Sequence, residues 1–180
     1  MHRNGGAPRE VAVPISLFAS LRQELEAEVG TLPTVHALHK AGYQAGLLAS
    51  GPLHTEAGGD AFRVSQSEFW THVRDYFSKR GWGTLTHRVA HDAVGVLSST
   101  DWAEAIEGEP DPDGSCCFST GLLSGLLSQI AGGPVAVLEV ECRPRGSAAC
   151  EFAFGSEGVI HELYGQLLEG GDLEGALSAL

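Results

Sequence analysis

The cysteines are the residues of this sequence best suited to chemistry, and two of them lie in one short stretch, EVECRPRGSAAC, at residues 139–150. Cys142 and Cys150 stand eight positions apart, on either side of the turn sequence RPRGS. Facing strands of a hairpin can bring two such thiols to the same side. Thiolate sulfur is a preferred zinc ligand, so this pair predicts half of a tetrahedral metal site.

Further ligands could come from residues close to the hairpin. Cys116 and Cys117 lie just before the helix that leads into it. Because adjacent side chains point in different directions, at most one of these two is expected to bind. Glu139 or Glu141 could supply a carboxylate oxygen, which zinc accepts as a fourth ligand.

Strand alternation is an obstacle to either carboxylate. Glu139 and Glu141 each lie an odd number of positions from Cys142, so a regular strand would place them on the face opposite that thiol. A carboxylate ligand therefore requires a bulge, or a strand that ends near Val140. The pattern by itself supports three cysteines better than either glutamate.

Two other interpretations of the cysteines stay open. Cysteines are often unreactive residues of a hydrophobic core. A disulfide between Cys142 and Cys150 is geometrically possible across a hairpin, although a reducing compartment disfavours it.

Composition predicts one acidic, folded domain. The chain has 180 residues, 43% of them hydrophobic, and 23 acidic against 11 basic residues give a formal charge of −12. Nucleic-acid binders usually carry a basic face, so direct binding to DNA or RNA is not expected. No apolar run approaches the roughly 20 residues of a membrane span, and the start, MHRNGGAPRE, lacks the apolar stretch of a secretory signal. A cytoplasmic location follows as an expectation.

The elements that would position the cysteines can be predicted from periodicity and capping signals. A flexible tail, residues 1–12, precedes a single domain, residues 13–180. The pattern predicts helices from Pro14 to Gly30, from Pro33 to about Ala49, from Ser65 to Gly81 with a Ser65–Glu68 capping box, and from Ser119 to Ala131. A Gly-rich loop, GPLHTEAGGD, should follow the second helix.

Four strands and a last helix complete the prediction. The strands fall near residues 83–90, 93–99, 134–142 and 148–155, with an acidic linker, EGEPDPDGS, after the second of them. Helical spacing returns from about Ser156. This order indicates an α+β fold, in which helices cover an antiparallel sheet.

The segment from Cys116 to Phe152 resembles the core of the 4-vinyl-reductase domain family, which includes the sensory domains of phenol- and xylene-responsive bacterial activators. A weaker likeness joins HKAGYQAG, residues 39–46, to a helix of the family. The matching features are a cysteine, a Gly-xxx-Gly helix, Glu-x-x-Cys and a second cysteine: Cys116, Gly121, Gly125, Glu139, Cys142 and Cys150.

The resemblance implies a structural zinc ion bound by Cys116, Glu139, Cys142 and Cys150, which selects Glu139 over Glu141. A site with four protein ligands leaves no position for water, so such an ion would not be catalytic. Three thiolates and a carboxylate around Zn²⁺ carry a formal charge of −2, which Arg143 and Arg145 could partly offset.

The resemblance also implies a fold like that of TRAPP vesicle-tethering subunits, a homodimer, and an apolar pocket for a small aromatic or hydrophobic molecule. Large apolar residues are the candidates for its wall. They are Phe69, Trp70, Val73, Trp82, Val96 and Trp102.

The leading hypothesis is a zinc-stabilised sensor or carrier whose output passes through a protein partner or dimerisation. The alternatives are an enzyme related to tetrapyrrole vinyl reductases and a non-catalytic assembly subunit. No nucleotide-binding glycine pattern or nucleophile elbow is present. Two smaller expectations concern His87 and His91, read as strand residues and not a metal pair, and a solvated acidic loop formed by Asp101, Glu104, Glu107 and Glu109.

Overall fold

The computed structural model describes residues 10–59, 64–105 and 116–180. Most of the predicted tail and the whole acidic linker at 107–115 lie outside these ranges. The helices are α1 (Ser16–Val29), α2 (Thr31–Glu56), α3 (Gln66–Lys79), α4 (Cys117–Ala131), α5 (Glu157–Leu168) and α6 (Leu173–Ser178). The strands are β1 (Thr86–His91), β2 (Val94–Ser99), β3 (Ala136–Glu141) and β4 (Cys150–Gly155).

The four strands form one antiparallel sheet in the order β1-β2-β4-β3. Leu97 and Phe152 point from the sheet into a first core, which α2, α3 and α4 complete. Their neighbours Val96 and Ala153 point into a second core under α5 and α6. Successive strand residues alternate between faces, so helices cover both sides of the sheet. The predicted α+β class is confirmed.

Helices α2 and α4 cross with their backbones in direct contact. A Cβ atom added at Gly42 would lie 2.0 Å from the carbonyl oxygen of Phe118, and one at Gly46 would lie 2.1 Å from that of Leu122. On the other side, a Cβ atom added at Gly121 would lie 2.0 Å from the carbonyl oxygen of His39. Only glycine permits this approach. The crossing fixes where α4 begins.

Most helix boundaries follow the predicted signals. The capping box is present, with Ser65 accepting from the Glu68 N–H and the Glu68 carboxylate accepting from the Ser65 N–H. The loop predicted after Ala49 is wrong, because α2 continues through Pro52 to Glu56. Proline removes one helical hydrogen bond, but the following Leu53 is only 1% exposed. Burial of that side chain favours the extra helical turn.

Helix α1 is attached to the domain through an aromatic side chain. The ring of Phe18 lies 5.2 Å from that of Trp82 and 5.5 Å from that of Phe118. The leucines of α1 are only partly covered by the rest of the domain: Leu17 is 44% exposed and Leu21 is 43% exposed. In the described part of the chain, no helix combines the length and hydropathy needed to cross a bilayer.

Candidate metal centre

Three cysteines and one glutamate converge where α4, β3 and β4 meet. Cys116 is the N-cap residue of α4, Glu139 lies in β3, Cys142 follows β3, and Cys150 begins β4. One ligand atom from each lies within 4.8 Å of the others, and the Sγ atoms of Cys116 and Cys150 are 3.9 Å apart. The three thiols are at most 1% exposed. The structure thus brings together all four residues predicted as metal ligands.

A bulge in β3 places Glu139 and Cys142 on the same face. The pairing of β3 with β4 shifts between Glu139 and Glu141, so Val140 is an extra residue in the strand. The extra residue moves the alternation by one position, which returns Cys142 to the face of Glu139. Glu141 is exposed instead and accepts a hydrogen bond from the Ser147 hydroxyl. The sequence indicated that a carboxylate ligand in this strand needs a bulge, and the bulge is present at Val140.

The two carboxylate oxygens of Glu139 have different surroundings. Oε2 accepts the N–H of Cys116 at 3.0 Å and lies 3.9 Å from the Arg145 guanidinium. Oε1 is buried and has no hydrogen-bond partner. A buried carboxylate oxygen without a partner is costly. A cation in the middle of the cluster would remove that cost.

A tight turn fixes the backbone around Cys142. The carbonyl oxygen of Cys142 accepts the N–H of Arg145 at 3.1 Å and that of Ser147 at 3.2 Å. Gly146 has a φ of +98°, a conformation that favours glycine. The sequence RPRGS therefore forms a compact reversal that returns the chain to Cys150.

The dimensions and chemistry of the cluster fit zinc. A tetrahedral ion with Zn–S bonds of about 2.3 Å holds its sulfurs about 3.8 Å apart, close to the 3.9 Å between Cys116 and Cys150. Sulfur donors with one carboxylate oxygen are a ligand set that zinc accepts. Because all four positions would be filled by protein, zinc bound here would stabilise the fold.

Burial and mutual contact set the acidity of these groups. Contacts with the thiols of Cys142 and Cys150, together with burial, raise the pKa of Cys116 far above its ordinary value. Burial also raises the pKa of Glu139. Hydrogen bonds from Cys116 and Cys142 lower the pKa of Cys150 to about 3. The cluster stabilises one thiolate, and a divalent cation would favour deprotonation of the others.

Cys117, the rival candidate for the first ligand, lies outside the cluster. Cys117 is buried at 6% exposure in α4, but its sulfur is not grouped with the four ligand atoms. Arg143 donates to the carbonyl of Ala105 at 3.4 Å. Both arginines predicted to offset the charge act on the cluster: the charge of Arg143 helps to lower the pKa of Cys150, and Arg145 lies 3.9 Å from Glu139.

The segment that contains the cluster matches the model of a known domain family. Residues 105–156 match the model of the 4-vinyl-reductase domain. This 4-vinyl-reductase segment includes all four cluster residues, and its match confirms the resemblance predicted from the sequence. No curated protein matches the chain.

Solved structures at low sequence identity share the fold. The phenol-responsive sensory domain of the transcription activator PoxR, solved with phenol, gives a TM-score of 0.67 at 17% identity, over 83% of this chain and 77% of that one. Subunit 3 of the trafficking protein particle complex from Naegleria fowleri, covalently bound to palmitic acid, gives a TM-score of 0.63 at 13% identity, over 78% of this chain and 91% of that one. A vinyl-4-reductase family protein from Methanocaldococcus jannaschii gives a TM-score of 0.54 at 15% identity, over 81% of this chain and 83% of that one. The predicted TRAPP-subunit-like fold is confirmed.

Glu104 is partly buried against α4, so its prediction as a solvated residue is wrong. Its carboxylate accepts the backbone N–H groups of Phe118 at 2.9 Å and Ser119 at 2.7 Å, and the Ser119 hydroxyl. That hydroxyl accepts the indole N–H of Trp102 at 2.7 Å. Glu104 therefore caps α4 from a distant part of the chain. The carboxylate of Asp101 accepts a hydrogen bond from the Thr84 N–H at 2.7 Å. The other two residues of the predicted acidic loop, Glu107 and Glu109, lie outside the described residues.

The raised pKa of Glu104 predicts that the stability of the folded protein depends on pH. Burial outweighs its hydrogen bonds and raises the pKa of this carboxyl from 4.5 to about 7. Because the folded state holds the proton more tightly, the stabilisation is complete below about pH 4.5 and is lost as the pH rises through about 7. Relative to Glu104→Gln, the wild type should lose on the order of 3 kcal/mol over this range. Urea unfolding of both proteins measures this loss; a difference that is constant with pH would contradict it.

The six residues predicted to line a ligand pocket divide between the two cores. Phe69, Trp70, Val73, Trp82 and Trp102 belong to the first core, and Val96 belongs to the second. Val96 is fully buried on the opposite face of the sheet. A single pocket can therefore include the five first-core residues but not Val96. That these five line a ligand pocket remains a prediction.

The two histidines of β1 have separate roles. His87 stacks on Trp70 with 4.1 Å between ring centroids. His91 accepts the N–H of Ala93 through Nδ1 at 3.3 Å. Within residues 10–59, 64–105 and 116–180, the cysteine–glutamate cluster is the only grouping of side chains that could hold a metal ion.

Proposed function

We propose that this chain is a zinc-stabilised domain that binds a small aromatic or hydrophobic molecule and acts as a sensor or carrier. Zinc would be held by Cys116, Glu139, Cys142 and Cys150. The observation that carries this part is the buried Oε1 of Glu139, which has no hydrogen-bond partner and is enclosed with three thiols. Zinc would tie the β3–β4 hairpin to the start of α4 and so make a rigid wall of the first core.

The proposal of a small-molecule ligand is supported by the 4-vinyl-reductase match and by the shared fold with the phenol-responsive domain. The first core is also rich in aromatic rings. The ring of Trp70 lies 4.8 Å from that of Phe69 and 5.4 Å from that of Phe154, between centroids. Such rings offer flat apolar contacts to an aromatic molecule.

A groove between α3 and β1 is the proposed place for the ligand to bind. It has a volume of about 500 Å³ and is lined by Trp70, His87, Thr71 and Leu85 among others. Trp70 is the one predicted pocket residue in this lining. The indole nitrogen of Trp70 is buried without a hydrogen-bond partner. Because a buried N–H normally has an acceptor, a ligand that opens the groove as far as this nitrogen and places an oxygen beside it would satisfy it.

Native mass spectrometry of the purified protein, followed by titration with phenol, tests both parts. We expect one zinc ion per chain and phenol binding that Trp70→Phe weakens about tenfold, because one hydrogen bond is lost and an aromatic ring is kept. The matched control is Tyr164→Phe, which removes a hydroxyl from an exposed side chain on α5 and should leave the affinity unchanged. Zinc without phenol binding and without any co-purifying molecule would contradict the sensor or carrier role.

We also propose a homodimer formed through α1 and α2. Large apolar side chains on these helices remain exposed, including Leu32 at 65% and Leu48 at 71%. Covering them with a second copy would remove apolar surface from water. The same native spectra test this proposal, since a mass of one chain at micromolar concentration would contradict it.

An assembly subunit is the second candidate. The shared fold with the trafficking-complex subunit and the exposed face of α1 favour it. Capture of a stable second protein by zinc-loaded, ligand-free chain would support this role. A cytoplasmic location remains a proposal, in keeping with thiolate ligands that need a reducing compartment.

A further inference from the structure

A cavity reaches the candidate metal centre from outside. Its volume is about 790 Å³, and Cys116 and Glu139 form part of its lining. The other two ligands, Cys142 and Cys150, do not line it and are fully buried. Cys116 and Glu139 are therefore the cluster residues next to the cavity, and little of either is exposed: 1% of Cys116 and 5% of the Glu139 side chain.

Two imidazoles line this cavity. His36 and His39 lie three positions apart on α2, on the same face of the helix, and both are exposed. Imidazole nitrogen is a good ligand for zinc. Partial burial, and to a smaller extent His36, lower the pKa of His39, which favours the neutral ring that binds metal.

A closed site of four buried ligands needs a route for its ion. A hydrated cation must exchange its water molecules for protein ligands one at a time. Ligands on the way in would make each exchange easier, because the ion is never left without donors. The formal charge of −12 raises the concentration of cations near the surface, which acts against the local repulsion from Arg145, the guanidinium in the cavity lining.

We propose that this cavity is the route by which the divalent ion enters and leaves the cluster, and that His36 and His39 are its transient ligands. The inference rests on the proposed zinc site. Cys116 and Glu139, which line the cavity, would be the first two cluster residues to meet the ion. Cys142 and Cys150 would complete the coordination.

Isotope exchange in the folded, zinc-loaded protein tests the route. Protein containing natural zinc is mixed with an excess of a heavier zinc isotope, and the mass of the complex is followed by native mass spectrometry. In the double variant His36→Ala/His39→Ala, exchange should be about tenfold slower, while the occupancy stays at one ion per chain. Because both side chains are exposed, the fold should be unaffected.

The control is His161→Ala, which removes an exposed histidine on α5 that does not line the cavity. Its exchange rate should equal that of the wild type. An unchanged rate in the double variant, at full occupancy, would overturn the route but leave the zinc site intact. Folded wild-type protein that binds no zinc would instead overturn the proposed zinc site, and the route with it.

Discussion

Cys142→Ser should lose the metal and lower the free energy of unfolding by about 5 kcal/mol or more, because a structural zinc site contributes its binding energy to folding. Cys142 is fully buried at the end of β3, and two backbone N–H groups of the following turn bond to its carbonyl. Serine keeps the size of the side chain but is a poor zinc ligand. Metal content and urea unfolding in the presence of reductant measure the two effects.

Cys117→Ser is the matched control for the loss of metal. Cys117 is buried in the same region, but it lies outside the cluster. This variant should keep one zinc ion per chain, whereas Cys116→Ser should lose it. The opposite result, with metal retained in Cys116→Ser and lost in Cys117→Ser, would show that the first ligand is assigned wrongly.

Gly42→Ala should destabilise the protein by about 3 kcal/mol, a large effect for one methyl group. The new Cβ atom would lie 2.0 Å from the carbonyl oxygen of Phe118, and backbone at that distance must move. Separating α2 from α4 would also displace Cys116 at the start of α4. We therefore expect weaker zinc binding as well, measured by competition with a chelator.

Gly165→Ala provides the control in another helix, α5. Its added Cβ atom would meet nothing within 4 Å, and the residue is only partly buried. Since alanine has the higher helix propensity, this variant should be neutral or more stable by up to about 1 kcal/mol. Equal destabilisation by the two substitutions would contradict the close crossing of α2 and α4.

Local signals in the sequence predicted the α+β class and most of the helices and strands, whereas the TRAPP-subunit-like fold came from the family resemblance. The capping box at Ser65 and the turn RPRGS mark ends of elements, and apolar periodicity gives their types. The ligand set Cys116, Glu139, Cys142 and Cys150 came from the family resemblance. The structure shows why Glu139 can join the cysteines: the bulge at Val140 brings it to the same face as Cys142. Strand alternation alone indicated that a bulge was needed, without showing that one forms.

Features that depend on distant contacts could not be predicted. Glu104 lies in an acidic stretch, and only the folded chain places it against the N–H groups of α4. The Gly-rich sequence GPLHTEAGGD indicated a loop, but the burial of Leu53 favours continuation of the helix. Val96 was grouped with the first-core residues, because its face of the sheet depends on the pairing of β2 with β4.

The most direct test of the account is the metal content and coordination of freshly purified, reduced protein. Elemental analysis should give one zinc ion per chain, and X-ray absorption should show three sulfur ligands and one oxygen ligand. The Glu139→Gln variant should lose the oxygen contribution or the metal, and Glu141→Gln should change neither. Fully folded protein without any transition metal would contradict the account.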